Sequence, residues 1–322
     1  MQIVSDPHNF NRKCYFQEGF VTKHRSLFPE QRLLGAGSSF RSFLSILRGG
    51  EFKVLPLLQF IDVKTRATLD EQKMEFITVS EIERRLSDSE IFELGEIYGI
   101  LTALGVSDLH IENVIFGTRP DGSICFAPID LEVFYSDFSG GGLGLLPQPR
   151  DTYLLTSLAI FSTYRTNFPD PDFSCKMFHG YRSILELIEQ NQKEFYSQFW
   201  GGISPEAVPV RVMFNQTRRY NQLLLKKEFE DCIPEETDQL LRGDIPYFFT
   251  FLGDLRAHYW KSSSQMASLS PPKPILGFWP RHPEAYELSK ARKSIHLFMT
   301  VDRDLGHETT TSWTAVEFLD SV

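Results

Sequence analysis

The 322-residue chain has little cysteine. Cys14, Cys125, Cys175 and Cys232 stand far apart, with no Cys-x-x-Cys pair and no Cys/His cluster. A structural zinc is therefore not expected. No run of about 18 uncharged apolar residues occurs, so no membrane-spanning helix is expected. The opening residues Met1-Gln-Ile-Val-Ser-Asp-Pro-His8 lack the basic-then-apolar order of a secretory signal. A basic excess is missing too: the net charge is −9 and the pI about 5.5. Non-specific nucleic-acid binding needs a basic face, so that class is excluded. No internal repeat or low-complexity block appears. These absences set the expectation of a cytoplasmic globular protein with reduced thiols, no nucleic-acid partner and no membrane span.

What is present is apolar, including 28 Phe, over a length that can bury a large core in two lobes. Tyr15-Phe16 and Phe20-Val21-Thr22 read as a hairpin leading into Lys23. Ser38 caps a helix over 38–48 that stops at Gly49-Gly50. Residues 52–62 and 74–79 read as strands. Together these make a small β-rich lobe over residues 1–85. From residue 80 the pattern turns helical. Ser80-Glu-Ile-Glu83 and Ser87-Asp-Ser-Glu90 look like capping boxes, and 90–104 like an amphipathic helix ending at Gly105. Strands are expected near 112–116 and 124–129. Helices are expected near 151–164, 181–198, 219–242 and 283–299, with a loop at 139–147 and a connector at Pro271–Pro274. This is a mainly helical large lobe over 86–322, and the fold class is α+β, bilobal.

One stretch carries chemistry. Asp108 and Asn113 are five apart among apolar residues, and Asp130 follows a turn-rich gap at Gly117–Gly122. That is the layout of a phosphoryl-transfer site. A serine or threonine hydroxyl is a poor nucleophile near neutral pH, and a carboxylate such as Asp108 orients it and accepts its proton. Asn113 offers a neutral oxygen and Asp130 an anionic one, the ligand types magnesium takes beside the phosphates of ATP. His110 reads equally well as a loop brace or an active-site group. A cation for the phosphates is needed from the small lobe; by position alone Lys23 reads as a solvated lysine, with Lys53 competing. Leu34-Gly-Ala-Gly-Ser-Ser39 has two glycines and no lysine, so it reads as an ordinary turn rather than a phosphate cradle.

Assembled in order, these pieces resemble the dehydratase domain of class II lanthipeptide synthetases, the LanM family. Ser5-Asp-Pro-His8 resembles that family's Asp-x-His element, and Lys23-His-Arg-Ser-Leu27 its Tyr-Lys-Pro-Arg-Ser-Leu element, with Thr and His replacing Tyr and Pro. Glu71–Thr78 resembles its Tyr-Gly-Trp-x-Glu-Phe segment without the Gly-Trp. Asp108-Leu-His-Ile-Glu-Asn113 and Ile129-Asp-Leu-Glu132 match its catalytic and metal elements, and Gly144–Pro147 its Gly-Leu-Leu-Pro. Val210–Thr217 resembles Val-Arg-x-x-x-Arg-x-Thr, with Asn215 at the second Arg. Gly243-Asp-Ile-Pro-Tyr-Phe248 is a near-verbatim match.

The resemblance implies a bilobal fold similar to lipid and protein kinases. It implies ATP- and magnesium-dependent phosphorylation of Ser and Thr in a precursor peptide (leader and core), followed by elimination of phosphate to dehydroalanine or dehydrobutyrine. It carries Lys23, Asp108, His110, Asn113 and Asp130 to phosphorylation, and Asp6, His8, Arg211 and Thr217 to elimination. If 210–217 is a strand, Arg211 and Thr217 share a face. The family's preceding segment and zinc cyclase domain have no counterpart here, which implies a stand-alone or split dehydratase or a fragment, with a separate cyclase as a further partner. Two alternatives stay open: a peptide or small-molecule kinase without elimination, motivated by Asn215, and a catalytically silent peptide-binding partner.

Overall fold

A computed structural model describes residues 2–3 (backbone), 7–136, 157–215, 217–270, 279–281 and 288. The fold is α+β; among the described residues lie eight α-helices and three antiparallel sheets. The first sheet takes β1 (Gln2–Ile3), β2 (Tyr15–Gln17), β3 (Phe20–Lys23), β4 (Phe60–Ile61) and β5 (Gln72–Glu75) in the order β1-β2-β3-β5-β4. The expected hairpin into Lys23 is there, and both of its turn residues, Glu18 and Gly19, have positive φ, as a tight two-residue hairpin requires. β3 then pairs with β5, placing Lys23 opposite Gln72.

Helices α1 (Phe28–Leu34) and α2 (Ser39–Arg48) follow; Ser38 accepts from the Arg41 N–H, and Gly49 closes α2 in the left-handed region at φ 76°. The strand expected over 52–62 is confined to Phe60–Ile61. Upstream, the buried Arg41 guanidinium donates to the Phe52 and Leu55 carbonyls at 3.3 and 2.7 Å, so that backbone bonds to a side chain rather than a sheet.

Helix α3 (Asp88–Ala103) opens with the capping box Ser87/Glu90. It is not amphipathic: apart from Phe92, every residue from Ile91 to Ala103 is buried. Its two buried carboxylates are paired inside, Glu93 with the Val54 N–H and Glu96 with Arg48. Helix α5 (Phe173–Gln190) crosses it closely; a Cβ at Gly95 would lie 1.8 Å from the Met177 carbonyl oxygen, and one at Gly180 1.9 Å from that of Phe92. Ser80 starts no helix. Its N–H and carbonyl are both bonded to Thr118 at 2.9 Å, a bridge that holds the segment extended.

The second sheet is the hairpin β6 (Val114–Thr118) and β7 (Ile124–Pro128). Helices α4 (Ser162–Asn167), α5 and α6 (Gln192–Trp200) follow, the expected helix 181–198 being broken at Asn191. The third sheet, β8 (Pro209–Val212), β9 (Phe248–Phe251), β10 (Ala257–Ser262) and β11 (Gln265–Leu269), is ordered β11-β10-β9-β8. The expected helix 219–242 is two, α7 (Thr217–Lys226), which stops at left-handed Lys227, and α8 (Pro234–Leu241), which starts on Pro234. Residues 137–156, the Pro271 connector and the helix expected over 283–299, Leu288 excepted, lie outside the described residues. One apolar core runs from Leu27 and Phe28 through α3 and α5 to Val210 and Leu252, with a small satellite under β8–β10 and another under α7 and α8. Each fully buried large apolar side chain in it contributes about 1.5–3 kcal/mol.

Candidate active site

The β6–β7 hairpin brings the sequence-distant parts of the motif together. Val114 pairs with Pro128, and the Ile129 N–H donates to the Asn113 carbonyl at 2.9 Å, so Asn113 and Asp130 meet at the open end of the hairpin. The turn before β6 is pinned at α3's end: Ser107 N–H bonds to Val133 O, and Tyr135 N–H to Leu104 O. Inside it, the Asn113 amide donates to the Asp108 carbonyl at 2.7 Å and lies 3.4 Å from His110 Nε2. Asp108 itself sits in the left-handed region at φ 58°, a conformation unusual outside glycine that persists only where surroundings impose it. His110 Nδ1 accepts the Glu112 N–H at 3.3 Å, so His110 braces the turn while its ring stays 37% exposed.

Lys23 is not solvated. It is buried at the end of β3, donating to Asp130 Oδ1 at 2.9 Å and to the Ile129 carbonyl at 2.6 Å. Lys53 is exposed, and its backbone carbonyl accepts from Arg119 at 2.8 Å. Arg25 joins Lys23 on Asp130 Oδ1, bonds to Glu30 on α1, and reaches Glu132 with its Nε at 3.1 Å. Burial alone would raise the Asp130 pKa, but Lys23 and Arg25 outweigh it and hold the carboxyl well below the usual range. Asp130 therefore stays ionised, as a cation ligand must. The residues suit a hard cation: Asn113 uses its nitrogen internally, leaving the amide oxygen, and Asp130 adds carboxylate oxygen. Among the described residues no group of three or more His, Cys, Asp and Glu could hold a metal alone. Magnesium, with most of its shell supplied by water and phosphate, does not need one.

Asp108 lies in the opposite setting. Burial pushes its carboxyl up to about 6, against the pull of Arg211 and His110. Its nearest cation, Arg211 Nη1, is 3.9 Å away and committed to Glu132. Glu132 is the hub here. It accepts from Arg211, from Arg25 and from the Tyr247 hydroxyl at 2.8 Å, and its carbonyl accepts the Arg211 N–H at 2.9 Å. The Arg211 guanidinium also lies over the Tyr247 ring, 5.3 Å from its centre.

A cavity of about 350 Å³ opens onto this network. Its walls include Lys23, Asn113 and Asp130 from the phosphorylation set, and His8 and Arg211 from the elimination set. Asp108 and His110 are not in its walls; Asp108 connects through Arg211. Asp6 lies outside the described residues. Thr217 is a correction: the strand ends at Val212 and Thr217 is the first residue of α7, so it shares no strand face with Arg211. The chain turns there because Phe214 enters the satellite core, while Asn215, buried, donates to Glu236 at 2.9 Å and accepts from Arg219 at 3.1 Å. Arg25, Glu30, Glu132 and Tyr247 were not singled out in the sequence. Arg25, Glu132 and Tyr247 all stand inside matched motifs; Glu30 has no such signal, since an acid in the first turn of a helix looks like ordinary dipole stabilisation.

No protein-family model matches the chain, and no curated protein matches it at a significant level.

Proposed function

We propose that the chain is an ATP- and magnesium-dependent Ser/Thr peptide dehydratase of the class II lanthipeptide type, on a bilobal kinase-like fold with lobes over 1–85 and 86–322. The observation that carries this reading is that Lys23 and Asp130 line the same cavity as Arg211 and His8. A phosphate that is installed and then expelled must be gripped twice in one place, and cations from both residue sets face that space.

Asp108 accepts the hydroxyl proton of a peptide Ser or Thr as its oxygen takes the γ-phosphoryl of ATP, releasing ADP. A pKa near 6 leaves Asp108 ionised at neutral pH yet basic enough to take that proton. Lys23 is the cation for the ATP phosphates. Magnesium, held by Asn113 and Asp130, would supply shielding of the phosphate charge. In the second half-reaction the α-proton leaves to a base, its electron pair forms the Cα=Cβ bond, and the Cβ–O bond breaks with its pair departing on phosphate. Arg211 is suited to draw off that dianion. His8 is suited to proton transfer, with Asp6 and Thr217 assigned to the same half by their motifs alone. The substrate is a ribosomally made precursor peptide with leader and core; a separate cyclase could consume the dehydrated product, and both would work in the cytoplasm. Purified protein with ATP, magnesium and its peptide should add about 80 dalton per phosphoryl and then show a net loss of about 18 dalton per dehydrated residue by mass spectrometry. Neither change appearing would sink the reading.

A second reading is a kinase that stops at the phosphopeptide. Asn215, in place of a second Arg, turns its amide to Glu236, which favours that reading. Phosphopeptide that persists on long incubation would select it.

A further inference from the structure

The turn that carries His8 is unusual. Asn9, Phe10 and Asn11 are three consecutive non-glycine residues in the left-handed region, at φ 48, 73 and 59°. Such residues are strained in this region, and the surroundings must impose them. Here the imposing group is Asp244, more than 230 residues away in sequence. Its carboxylate is fully buried and accepts the Phe10 N–H at 2.8 Å and the Asn11 N–H at 2.6 Å. Hydrogen bonds to an ionised acceptor are about twice as strong as neutral ones. Arg242 completes the clamp, with its Nε 3.3 Å from Asp244 and its guanidinium over the Phe10 ring at 4.5 Å. Next to it, the Ile245 N–H bonds to the Pro7 carbonyl at 2.8 Å, and the Ile245 carbonyl lies 2.8 Å from His8 Nδ1.

That last contact fixes a proton. A carbonyl oxygen only accepts, so His8 Nδ1 carries the hydrogen in this contact. The ring packs edge-on against Tyr247, 5.8 Å between centres, on the cavity wall that Arg211 shares. The segment 244–247 therefore seats His8, sets its tautomer and, through Tyr247, touches Arg211.

We propose that Asp244 is a positioning residue for the expulsion of phosphate: it holds the 9–11 turn so that the His8 ring stands in the cavity wall that Arg211 shares. This rests on the dehydratase reading for its chemistry but not for its geometry. In the full chain labelled with 15N-histidine, His8 should show a fixed Nδ1–H tautomer whose signals shift on titration with inorganic phosphate. Asp244→Asn keeps one acceptor oxygen and the side-chain shape. It should mix the His8 tautomers and weaken the phosphate-induced shift, with the remaining histidine signals unchanged. His8 signals identical to those of the parent overturn the proposal. So does a collapse of all histidine signals in the Asn variant together with Arg242→Lys leaving His8 untouched, since Asp244 is then only a folding element. A synthetic phosphoserine peptide supplies the chemical arm. Asp244→Asn should lower phosphate release on the order of 100-fold, the cost of a small misplacement of a catalytic group. It should add almost nothing in a His8→Ala background, because residues that act through one another are non-additive. Fully additive losses overturn the proposal. A parent chain that releases no phosphate from such peptides removes the dehydratase reading, and the His8 signals still decide the positioning.

Discussion

Asp108 and Asp130 stand 22 positions apart in one motif, are both only partly exposed, and are driven in opposite directions. Asp130 has two cations on one oxygen and is held far below the usual carboxylate range. Asp108 has one cation, at 3.9 Å and already bound to Glu132, and is pushed up to about 6. What separates them is which neighbours the fold delivers. β3 and its exit bring Lys23 and Arg25 to Asp130, and the left-handed turn keeps Asp108 apart from both. Environments that pull two titratable groups apart also assign them roles: the permanently ionised one suits a ligand, and the one near 6 suits a base.

The largest expected effect breaks the low side of this pair. Asp130→Asn leaves Lys23 and Arg25 with one carboxylate fewer between them. Denaturant unfolding should show a loss of about 3 kcal/mol, since a charge stranded inside is costly. Phosphoryl transfer from radiolabelled ATP should disappear. Because the Asp130 pKa is depressed in the fold, its stabilising share is present above the ordinary carboxylate pKa and fades as acid is added; the variant should lose the parent's acid sensitivity at this site.

Asp108→Asn tests the high side and should give the opposite stability sign. The Asp108 pKa is raised from 3.8, so folding is favoured by its protonated form and that contribution is lost as pH rises from 3.8 through about 6. At pH 7 the amide removes a penalised charge, and the melting temperature should hold or rise. Transfer should nonetheless fall about 10²–10⁴-fold, the range for a lost general base. In the parent, kcat/KM for phosphorylation should climb with pH through about 6 and level above it. A flat profile would break the comparison outright.

Little of this contrast was legible in the sequence. The capping box at Ser87, the αL stop at Gly49 and the β6–β7 hairpin are local, so spacing and turn chemistry revealed them. The spacing of Asp108, Asn113 and Asp130 likewise survives, because a hairpin converts it directly into proximity. Their charge states do not survive that way. They depend on Arg25, Glu132 and Arg211, and Glu132 meets Arg211 across 79 positions. No periodicity marks such a pair. Lys23 read as solvated because a lysine at a strand end usually is. Only the sheet partner β5 and the Ile129–Asp130 turn bury it. The strand expected to 217 stopped at 212 for a similar reason: burial of Phe214 and the bond from Asn215 to Glu236 are tertiary, and they win over alternation.

A smaller effect sharpens the contrast. Arg211→Lys keeps the cation near Asp108 but loses the planar fork shared between Glu132 and the cavity. The inflection near pH 6 should stay in place, while phosphate release from a phosphoserine peptide drops about tenfold or more. An inflection that moves by a full unit would mean that the shape of Arg211, rather than its charge, sets the Asp108 environment.

The smallest effect comes from outside the site. Ser87 caps α3, accepting the Glu90 N–H at 3.3 Å while Glu90 returns to the Ser87 N–H at 2.7 Å. Ser87→Ala should cost about 1 kcal/mol in thermal or denaturant unfolding, the usual worth of a lost cap. The far end of α3 leads into the Asp108 turn, so fraying could in principle reach it. Two bonds stand in the way, Tyr135 N–H to Leu104 O at 2.8 Å and Ser136 N–H to Gly105 O at 3.0 Å, which clamp the helix exit independently of its start. The pH inflection of the Ser87→Ala variant should therefore coincide with the parent's. If it shifts, the difference between the two aspartates is set by the whole helix and core rather than by the few charges that face them.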